Sequence, residues 1–323
     1  MTESVNLKEA CSFLLEHDDY LILTHKNPDG DTLGCAYALC EALQSKGKKA
    51  GVACPDEIPE KYSYFIDGVS NNQSQEPGTV IAVDVADRKL LGKLSETYGD
   101  RVELSIDHHQ TNTGFAKRTF VNPGAAACCE NIYNIIRALG ITLTDNMARA
   151  LYTGISTDTG CFRFSNTTCD THLIAAELMK YDINAGEINR IMFETKSRTR
   201  VELERIVLDN IEFYFNGLCS LIAVTRDIYK KTGCKDDDLE GITSLSRSIE
   251  GVVVGITLRE REDGKFKASV RTYAPVDAAA LCAKMGGGGH VRAAGCEIEG
   301  GLAKAKKLII KNVKQSLCES GLL

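Results

Sequence analysis

The chain has 323 residues, of which 43% are hydrophobic and 25% are charged, and its formal net charge is −6. This composition is ordinary for a globular protein, and the length favours two domains over one. The acidic balance argues against binding of long duplex nucleic acid, which depends on many Lys and Arg contacts to phosphates. No apolar run approaches a membrane span, and residues 1–20 lack the apolar centre of a signal peptide. Thirteen Cys without a C-x-x-C pair favour reduced thiols in a cytoplasmic protein.

The first half of the chain alternates predicted helices and strands. In chain order, the pattern predicts a helix over 6–17, a strand over 20–24, a helix over 32–45, strands over 49–54 and 79–83, a helix over 88–98, a strand over 102–106 and helices over 125–139, 144–155 and 170–180. Strands that alternate with helices are typical of a parallel sheet with right-handed crossovers.

The pattern changes in the second half. It predicts a charged helical stretch over 183–208, strands over 212–215, 219–224, 251–259 and 266–272, a short helix over 277–285 and a final helix over 302–317. We therefore expect an α/β protein in two parts. A parallel-sheet domain is predicted over 1–185, a helical linker over 186–209 and a smaller α/β domain over 210–323.

Polar side chains with metal-binding chemistry follow three predicted strands and one helix. They are His25, Asp29 and Asp31 after the strand over 20–24, Asp84 after that over 79–83, Asp107, His108 and His109 after that over 102–106, and Asp158 after the helix over 144–155. Each group alone also fits a polar turn or a helix cap. Together they predict one site, because the carboxyl ends of parallel strands meet at one edge of the sheet.

Six of these side chains form a predicted metal-ligand set. It consists of Asp29, Asp31, Asp84, Asp158, His25 and His108. Four carboxylates balance the charge of two divalent cations, which lie about 3.5–4 Å apart in two-metal hydrolases. Adjacent His residues point in different directions, so we expect His109 to contact substrate, with Asp107 orienting an imidazole.

A glycine run in the second half predicts an anion site. The residues concerned are Gly287, Gly288 and Gly289, with His290 and Arg292 after them and Arg271 at the end of an earlier strand. Glycine lets backbone N–H groups approach a phosphate closely, and Arg271 can grip the same anion bidentately. The run also fits a flexible turn, and Arg271 also fits a surface position.

These motifs resemble the DHH phosphoesterase superfamily over nearly the whole chain. His25-x-Asn-Pro-Asp29-Gly-Asp31, Asp84, Asp107-His108-His109 and Asp158 stand in the order of its four motifs, and residues 287–290 resemble the signature of its associated substrate-binding domain. Within the superfamily the chain is most similar to bacterial oligoribonucleases that also dephosphorylate 3′-phosphoadenosine 5′-phosphate.

The resemblance implies a division of the ligands between two ions, for which manganese is the expected metal. One ion would be held by His25, Asp29 and Asp84, and the other by Asp31, Asp84, His108 and Asp158, with Asp84 bridging. The resemblance also implies that His109 faces the scissile phosphate. Arg271 and His290 match positions that hold the distal nucleotide or phosphate.

The implied activity is hydrolysis of RNA of very few nucleotides to nucleoside monophosphates, and of 3′-phosphoadenosine 5′-phosphate to AMP, with the domains closing on the substrate. An alternative activity is that of a phosphodiesterase for cyclic dinucleotides or for linear pApA and pGpG. The protein could also form a homodimer. The acidic charge and the lack of room for a further domain count against a processive RecJ-type exonuclease. The intact ligand set counts against a non-catalytic nucleotide sensor, and the absence of a Ser-Arg-Lys-Lys-type motif against a pyrophosphatase.

Overall fold

The computed structural model describes residues 2–234, 236–239 and 241–323. The chain divides into two compact units, Met1–Thr195 and Lys196–Leu323. The predicted linker over 186–209 is split between them rather than standing alone. Its second part, Arg198–Asp209, buries Leu203 and Val207 in the core of the second unit.

The first unit contains a six-stranded sheet and eight α-helices among its described residues. Its elements in chain order are β1 (Glu3–Ser4), α1 (Leu7–Glu16), β2 (Tyr20–Leu23), α2 (Gly30–Ser45), β3 (Ala50–Ala53), α3 (Ser63–Ile66), β4 (Thr79–Val83), α4 (Leu94–Tyr98), β5 (Val102–Asp107), β6 (Arg118–Val121), α5 (Cys128–Ala138), α6 (Asp145–Asp158), α7 (Cys169–Leu178) and α8 (Ala185–Asn189). Short 3₁₀ turns lie at Glu60–Tyr62, Arg88–Leu91 and Gly99–Arg101, and a π-helical turn at Arg190–Glu194.

All strand pairs of this sheet are parallel, and the strand order is β1-β6-β5-β4-β2-β3. Every residue of β2 and β4 is buried, because both faces of a parallel sheet are covered by helices. The α/β fold with a parallel sheet is therefore as the sequence predicts. The chain leaves β2 toward β3 on one side, while β4 lies on the other side of β2, which makes the gap between β2 and β4 a topological switch point.

Three elements of this unit, β1, β6 and the one-turn helix α3, were not predicted, and one predicted helix is wrong. Both residues of β1 are exposed and β6 is only partly buried, so neither strand shows a clear apolar signal. The helix predicted over 88–98 is instead a 3₁₀ turn and α4, separated at Gly92, whose φ of 52° is incompatible with a continuing helix.

The second unit contains a mixed six-stranded sheet of order β11-β12-β10-β9-β8-β7. Its elements in chain order are α9 (Arg198–Asp209), β7 (Glu212–Tyr214), β8 (Cys219–Val224), α10 (Arg226–Thr232), α11 (Ile242–Leu245), β9 (Val254–Glu260), β10 (Phe266–Thr272), α12 (Ala278–Ala283), β11 (Gly288–His290), β12 (Ala293–Ile298) and α13 (Leu302–Glu319). Only β8 and β9 pair in parallel; the other neighbours are antiparallel.

One face of this sheet packs against α13, which buries Ala305, Ile309 and Val313 at four-residue intervals. The strand β10 alternates accordingly: Val270 is buried in that core, whereas Arg271 points to the opposite face and is half-buried. Within the described residues of both units, no helix is long and apolar enough to cross a bilayer.

Candidate active site

The site begins at the switch point between β2 and β4. His25 follows β2 and Asp84 follows β4, and these two strands pair directly. The His25 Nε2 atom lies 3.5 Å from Asp84 Oδ2 and 3.6 Å from Asp29 Oδ1. His25 Nδ1 donates to the Lys26 carbonyl at 2.8 Å, which leaves Nε2 as the free acceptor on that ring.

Asp84 occupies an unusual backbone conformation at the centre of the site. Its φ is 57°, in the left-handed region that few non-glycine residues adopt, and its side chain is 3% exposed. Asp84 Oδ1 is buried, and none of the described residues donates a hydrogen bond to it. A buried carboxylate oxygen without a donor is costly, so this atom indicates a missing electrophilic partner.

Asp31 is fixed by the amino terminus of a neighbouring helix. The backbone N–H groups of Cys128 and Cys129, which begin α5, donate to Asp31 Oδ2 and Oδ1 at 2.6 and 2.9 Å. Helix amino termini favour negative charge, so α5 holds this carboxylate in place although it is almost fully buried. No pattern in the sequence indicated this contact.

His108 faces three carboxylates. Its Nε2 atom lies 3.8 Å from Asp31 Oδ2, 3.6 Å from Asp84 Oδ1 and 3.5 Å from Asp158 Oδ2. Nδ1 donates to the Ala125 carbonyl at 3.1 Å, which again leaves Nε2 as the acceptor. Asp158 reaches this group as the last residue of α6, and not from a turn beyond the helix as the sequence suggested.

These spacings fit cations better than hydrogen bonds. The nitrogen–oxygen distances of 3.5–3.8 Å exceed good hydrogen-bond lengths. Two ligands that share an ion at about 2.1 Å lie about 3–3.5 Å apart, close to what is seen. Among the described residues, four groups of ligand atoms lie close enough together to hold an ion, and two of them consist only of predicted ligands, namely His25 with Asp29 and Asp84, and Asp31 with His108 and Asp158.

The carboxylates repel one another strongly. Burial, followed by the charge of Asp31, raises the pKa of Asp84 well above its ordinary value and raises the pKa of Asp158 to about 8. Burial opposes ionisation of Asp29 too, but the nearby His25 ring and the backbone N–H groups of Thr32 and Asp31 hold its pKa below the ordinary value. The site thus concentrates negative charge that divalent cations would neutralise.

His109 differs from its neighbour. Its Nδ1 atom donates to Asp107 Oδ1 at 2.8 Å, and its side chain is 43% exposed. That hydrogen bond, against the opposing effect of burial, raises the pKa of His109 to about 9, so the ring is cationic at neutral pH. His109 Nδ1 also lies 3.5 Å from Asp84 Oδ1, within a third potential ligand group, but its bond to Asp107 is the shorter contact.

Asp107 is fully buried and has no free side for substrate. Its Oδ1 accepts from the backbone N–H groups of His108 and His109, and its Oδ2 accepts from Asn112 Nδ2 at 2.6 Å. Although burial opposes it, the hydrogen bonds from the His109 ring and from Asn112 hold the pKa of Asp107 below its ordinary value. Asp107 therefore positions the two histidines. Asn112 is a contributor that no pattern in the sequence indicated.

In the second unit, the predicted glycine nest is partly a strand. Gly288 and Gly289 belong to β11, which pairs with β12, and a Cβ atom at Gly289 would lie 2.6 Å from Ala294 Cα. At Gly287 a Cβ atom would lie 2.2 Å from the Gly295 carbonyl oxygen. Close strand packing thus explains two of these glycines, whereas Gly288 has open space above it.

The other predicted anion ligands lie around this hairpin. His290 is exposed at the end of β11, and its strand partner Ala293 is in turn the partner of Arg271. Because directly paired residues share a face, His290 and Arg271 lie in one row with a small residue between them. Arg292 is exposed, and its Nη1 donates to the Val276 carbonyl at 2.8 Å.

A parallel sheet with Asp and His side chains gathered at its carboxyl edge, close enough together to hold a cation, defines an α/β protein with a candidate metal centre. Comparison with known proteins agrees: the profile of the DHH family, N-terminal domain, matches residues 19–155, and that of the DHHA1 domain matches residues 220–318. The chain belongs to the DHH family of phosphoesterases, which confirms the resemblance of its motifs.

The alignments with similar proteins cover most of this chain. A Thermus thermophilus protein named "Bifunctional oligoribonuclease and PAP phosphatase NrnA" is 36% identical over 94% of this chain and 91% of its own length. A Streptococcus mutans protein named "Probable bifunctional oligoribonuclease and PAP phosphatase NrnA" is 30% identical over 86% and 89%. The crystal structure of an exopolyphosphatase-related protein from Bacteroides fragilis superposes with a TM-score of 0.85 at 25% identity, covering 97% of this chain and 95% of that one.

Proposed function

We propose that this chain is a metal-dependent phosphoesterase that cleaves very short oligoribonucleotides to nucleoside monophosphates and removes the 3′-phosphate of 3′-phosphoadenosine 5′-phosphate. One observation carries the proposal: Asp84 lies between His25 and His108 with a buried oxygen that has no donor. The names of the Thermus and Streptococcus relatives support the substrate class. A cytoplasmic setting is part of the proposal and rests on the cysteine usage of the chain.

The six converging side chains would hold two divalent cations, for which we propose manganese. His25, Asp29 and Asp84 form one set, and Asp31, His108 and Asp158 form the other. A mixed set of carboxylate and imidazole ligands suits Mn²⁺ better than Ca²⁺, because Ca²⁺ prefers oxygen ligands alone. When bound, such a pair neutralises charge on the scissile phosphate and lowers the pKa of water that attacks it.

The residues around the cations divide the remaining tasks. Asp84 faces both ligand sets, so we assign it the bridging position. His109 is cationic and exposed, and we assign its Nε2–H to donate to a phosphate oxygen as negative charge develops there. Asp107 keeps the His109 ring in that orientation by accepting its Nδ1–H.

The second unit supplies anion-binding groups for the part of the substrate that does not react. We assign this role to Arg271 and His290, which share a row on one face of the sheet. The backbone of Gly287, Gly288 and Gly289, and the free nitrogens of Arg292, are assigned supporting contacts to the same anion.

Substituting Asp84 tests the function. Asp84→Asn keeps the shape and tolerates the left-handed backbone, but it removes the bridging charge. Loss of a direct ligand should cost more than the ten- to hundredfold typical of outer-shell changes, so we expect manganese-dependent activity to fall by at least about a hundredfold. A folded variant that keeps wild-type activity on RNA dimers and adenosine bisphosphate would exclude this assignment.

Product analysis separates the proposed substrates from the alternatives. Purified protein with manganese would be given RNA dimers to pentamers, adenosine bisphosphate, linear pApA and cyclic di-AMP in parallel. We expect dimers and adenosine bisphosphate to be turned over fastest. Preference for cyclic di-AMP, or for long single strands, would contradict the proposed substrate class while leaving the metal centre in place.

A further inference from the structure

A short loop between β6 and α5 lies beside one of the two predicted ion sets, the His108 set, which consists of Asp31, His108 and Asp158. This alanine loop, residues 122–127, ends in three consecutive buried alanines. His108 Nδ1 donates to the Ala125 carbonyl at 3.1 Å, which turns Nε2 of the ring toward the carboxylates. The position of the loop therefore sets the direction of this imidazole.

The end of the alanine loop also fixes Asp31. Ala127 is the residue before α5 and has no side chain that could cap the helix. The Asp31 carboxylate takes that place, because it accepts the N–H groups of Cys128 and Cys129. These two N–H groups directly follow the loop, so a shift of the loop would also shift the carboxylate that they hold.

Asn166 joins the same loop to the third member of the His108 set. Its Nδ2 group donates to the Ala126 carbonyl at 3.0 Å and to the Asp158 carbonyl at 3.2 Å. Both partners are acceptors, so these contacts define which side of the amide carries the nitrogen. Asp158 is the last residue of α6, where a carbonyl group has no partner within its own helix. Asn166 therefore ties the end of α6 to the alanine loop.

Glu130 of α5 holds Ala126 from the other side. It is a buried carboxyl group that the proposed metal binding does not use, and such a group is costly unless it is hydrogen-bonded. The Thr171 hydroxyl donates to Glu130 Oε1 at 2.6 Å. Burial raises the pKa of Glu130, and hydrogen bonds from Thr171 and from the Ala126 backbone N–H oppose that rise. Ala126 is thus held at its N–H by Glu130 and at its carbonyl by Asn166.

The other predicted ion set, the His25 set of His25, Asp29 and Asp84, has separate supports. The His25 ring donates to the carbonyl of the residue that follows it, and Asp29 accepts the N–H groups of Asp31 and Thr32. Within the part of the chain that the structure describes, no hydrogen bond joins a member of the His25 set to the alanine loop. A displaced loop should therefore affect the two sets unequally.

We propose that Glu130 and Asn166 are positioning residues that act through the alanine loop to form the His108 set, and that the His25 set forms without them. The inference rests on the proposed function, since it requires that both sets bind Mn²⁺. It makes the two ions separable, because the affinity for one of them depends on two residues that are not ligands and the affinity for the other does not.

The test measures Mn²⁺ binding by calorimetry in two backgrounds, each of which leaves one set complete. His25→Ala leaves the His108 set complete, and His108→Ala leaves the His25 set complete. Asn166→Ala, added to His25→Ala, should lower the affinity for the remaining ion by about tenfold or more, which is typical of changes just outside the ligands. Added to His108→Ala, it should leave the affinity unchanged, because the altered residue and the remaining ion share no contact.

Glu130→Gln provides a second variant with the same expected pattern. Glutamine keeps the volume of the side chain, but its single carbonyl oxygen replaces two carboxylate oxygens as acceptor for Thr171 and the Ala126 N–H. Asn166 is exposed, so Asn166→Ala leaves no cavity, and the melting temperature of each metal-free variant shows whether it is folded.

Asn146→Ala is the matched control. Asn146 lies in the first turn of α6, at the opposite end from Asp158, and its Nδ2 group also donates to two acceptors, Glu41 Oε2 and the Phe65 carbonyl. Its loss should leave the Mn²⁺ affinity unchanged in both backgrounds. If Asn166→Ala lowered the affinity equally in both backgrounds, as a general loss of structure would, or in neither, the inference would be overturned.

The failure of the inference and the failure of the proposed function have different signatures. A wild-type protein that binds Mn²⁺ and hydrolyses RNA dimers, but whose variants lack the expected difference between backgrounds, contradicts the inference alone. If the expected difference is found but neither RNA dimers nor adenosine bisphosphate are hydrolysed, the proposed substrates are wrong and the positioning role stands. A wild-type protein that binds no Mn²⁺ contradicts both.

Discussion

Gly154 of α6 packs so closely against Cys129 of α5 that a Cβ atom placed on the glycine would lie 2.2 Å from the Cys129 Sγ atom and 2.9 Å from Asp31 Oδ1. The missing side chain lets α6 approach α2 and α5 together. This contact controls the site, because α6 carries Asp158 at its end and α5 holds Asp31 by its first N–H groups.

We expect Gly154→Ala to damage the metal site without touching a ligand. Overpacking of this kind costs about 1–3 kcal/mol of stability, and displacement of α6 separates Asp158 from Asp31. The affinity for Mn²⁺, measured by calorimetry, should fall by about tenfold or more. Gly186→Ala is the control, since no atom lies within 4 Å of its added Cβ and alanine favours the helix α8. Wild-type manganese affinity in a folded Gly154→Ala protein would contradict this account.

The two adjacent histidines should separate metal binding from catalysis. His108→Ala removes a group that faces three carboxylates but leaves the set of His25, Asp29 and Asp84 complete, so Mn²⁺ should raise the melting temperature by less than it does in the wild type. In His109→Ala, Mn²⁺ should raise the melting temperature as much as in the wild type. Its kcat should fall by about a hundredfold, because the substitution removes a donor to the phosphate. If His109→Ala instead abolished metal-induced stabilisation, the ring would be a ligand, as its distance to Asp84 allows.

Metal binding should reverse the effect of pH on stability. Burial and the neighbouring charge of Asp31 raise the pKa of Asp158 to about 8, so the folded state binds a proton there that the unfolded state releases near pH 4. The stability of the metal-free protein therefore falls as pH rises from about 4 to 8. The pKa values of His25 and His109 are also raised, so these two groups lower the stability of the metal-free protein further as pH rises above the ordinary histidine pKa.

Melting temperatures at pH 5.5 and pH 8, with and without Mn²⁺, check this expectation. The metal-free protein should melt at the lower temperature at pH 8, and Mn²⁺ should raise the melting temperature more at pH 8 than at pH 5.5. Asp158→Asn should flatten the pH dependence of the metal-free protein, because it removes one repelling charge. A manganese effect of equal size at both pH values would show that these carboxylates are ionised throughout.

The glycine run allows its structural and binding roles to be separated. Gly289 has a φ of 146° and no room for a Cβ atom, so Gly289→Ala should lower the melting temperature. Gly288 has open space, and Gly288→Ala should fold normally. If backbone N–H groups of the run contact the substrate phosphate, Gly288→Ala should raise KM several-fold with kcat unchanged. An unchanged KM would limit the run to strand packing.

The parallel sheet and the proposed ligand set can be predicted from the sequence because the proposed ligands follow recognisable strands. β2 and β4 are almost entirely apolar, and β5 has apolar residues at alternate positions. Acidic or histidine residues stand at or just after the ends of all three strands, and parallel strands place such ends together. The ligands that follow β2 and β4 could therefore be predicted to lie close together, even though the positions of the helices were not known. Asp158 was harder to place, because its approach depends on the packing of α6.

The parts that could not be predicted depend on contacts distant in sequence. The backbone N–H group of Cys128 reaches Asp31 across 97 residues, and no local pattern encodes that bond. The glycine run was interpreted from composition alone, which cannot distinguish a phosphate nest from tight strand packing.

The left-handed backbone at Asp84 limits how this centre can be engineered. A glutamate there would preserve the charge, yet its longer chain would start from a conformation that few side chains accept. Transplanting the six ligands onto another parallel sheet would fail for the same reason unless the recipient loop reproduced that dihedral angle. What a designer must copy is therefore the shape of one peptide unit as well as the identity of the side chains.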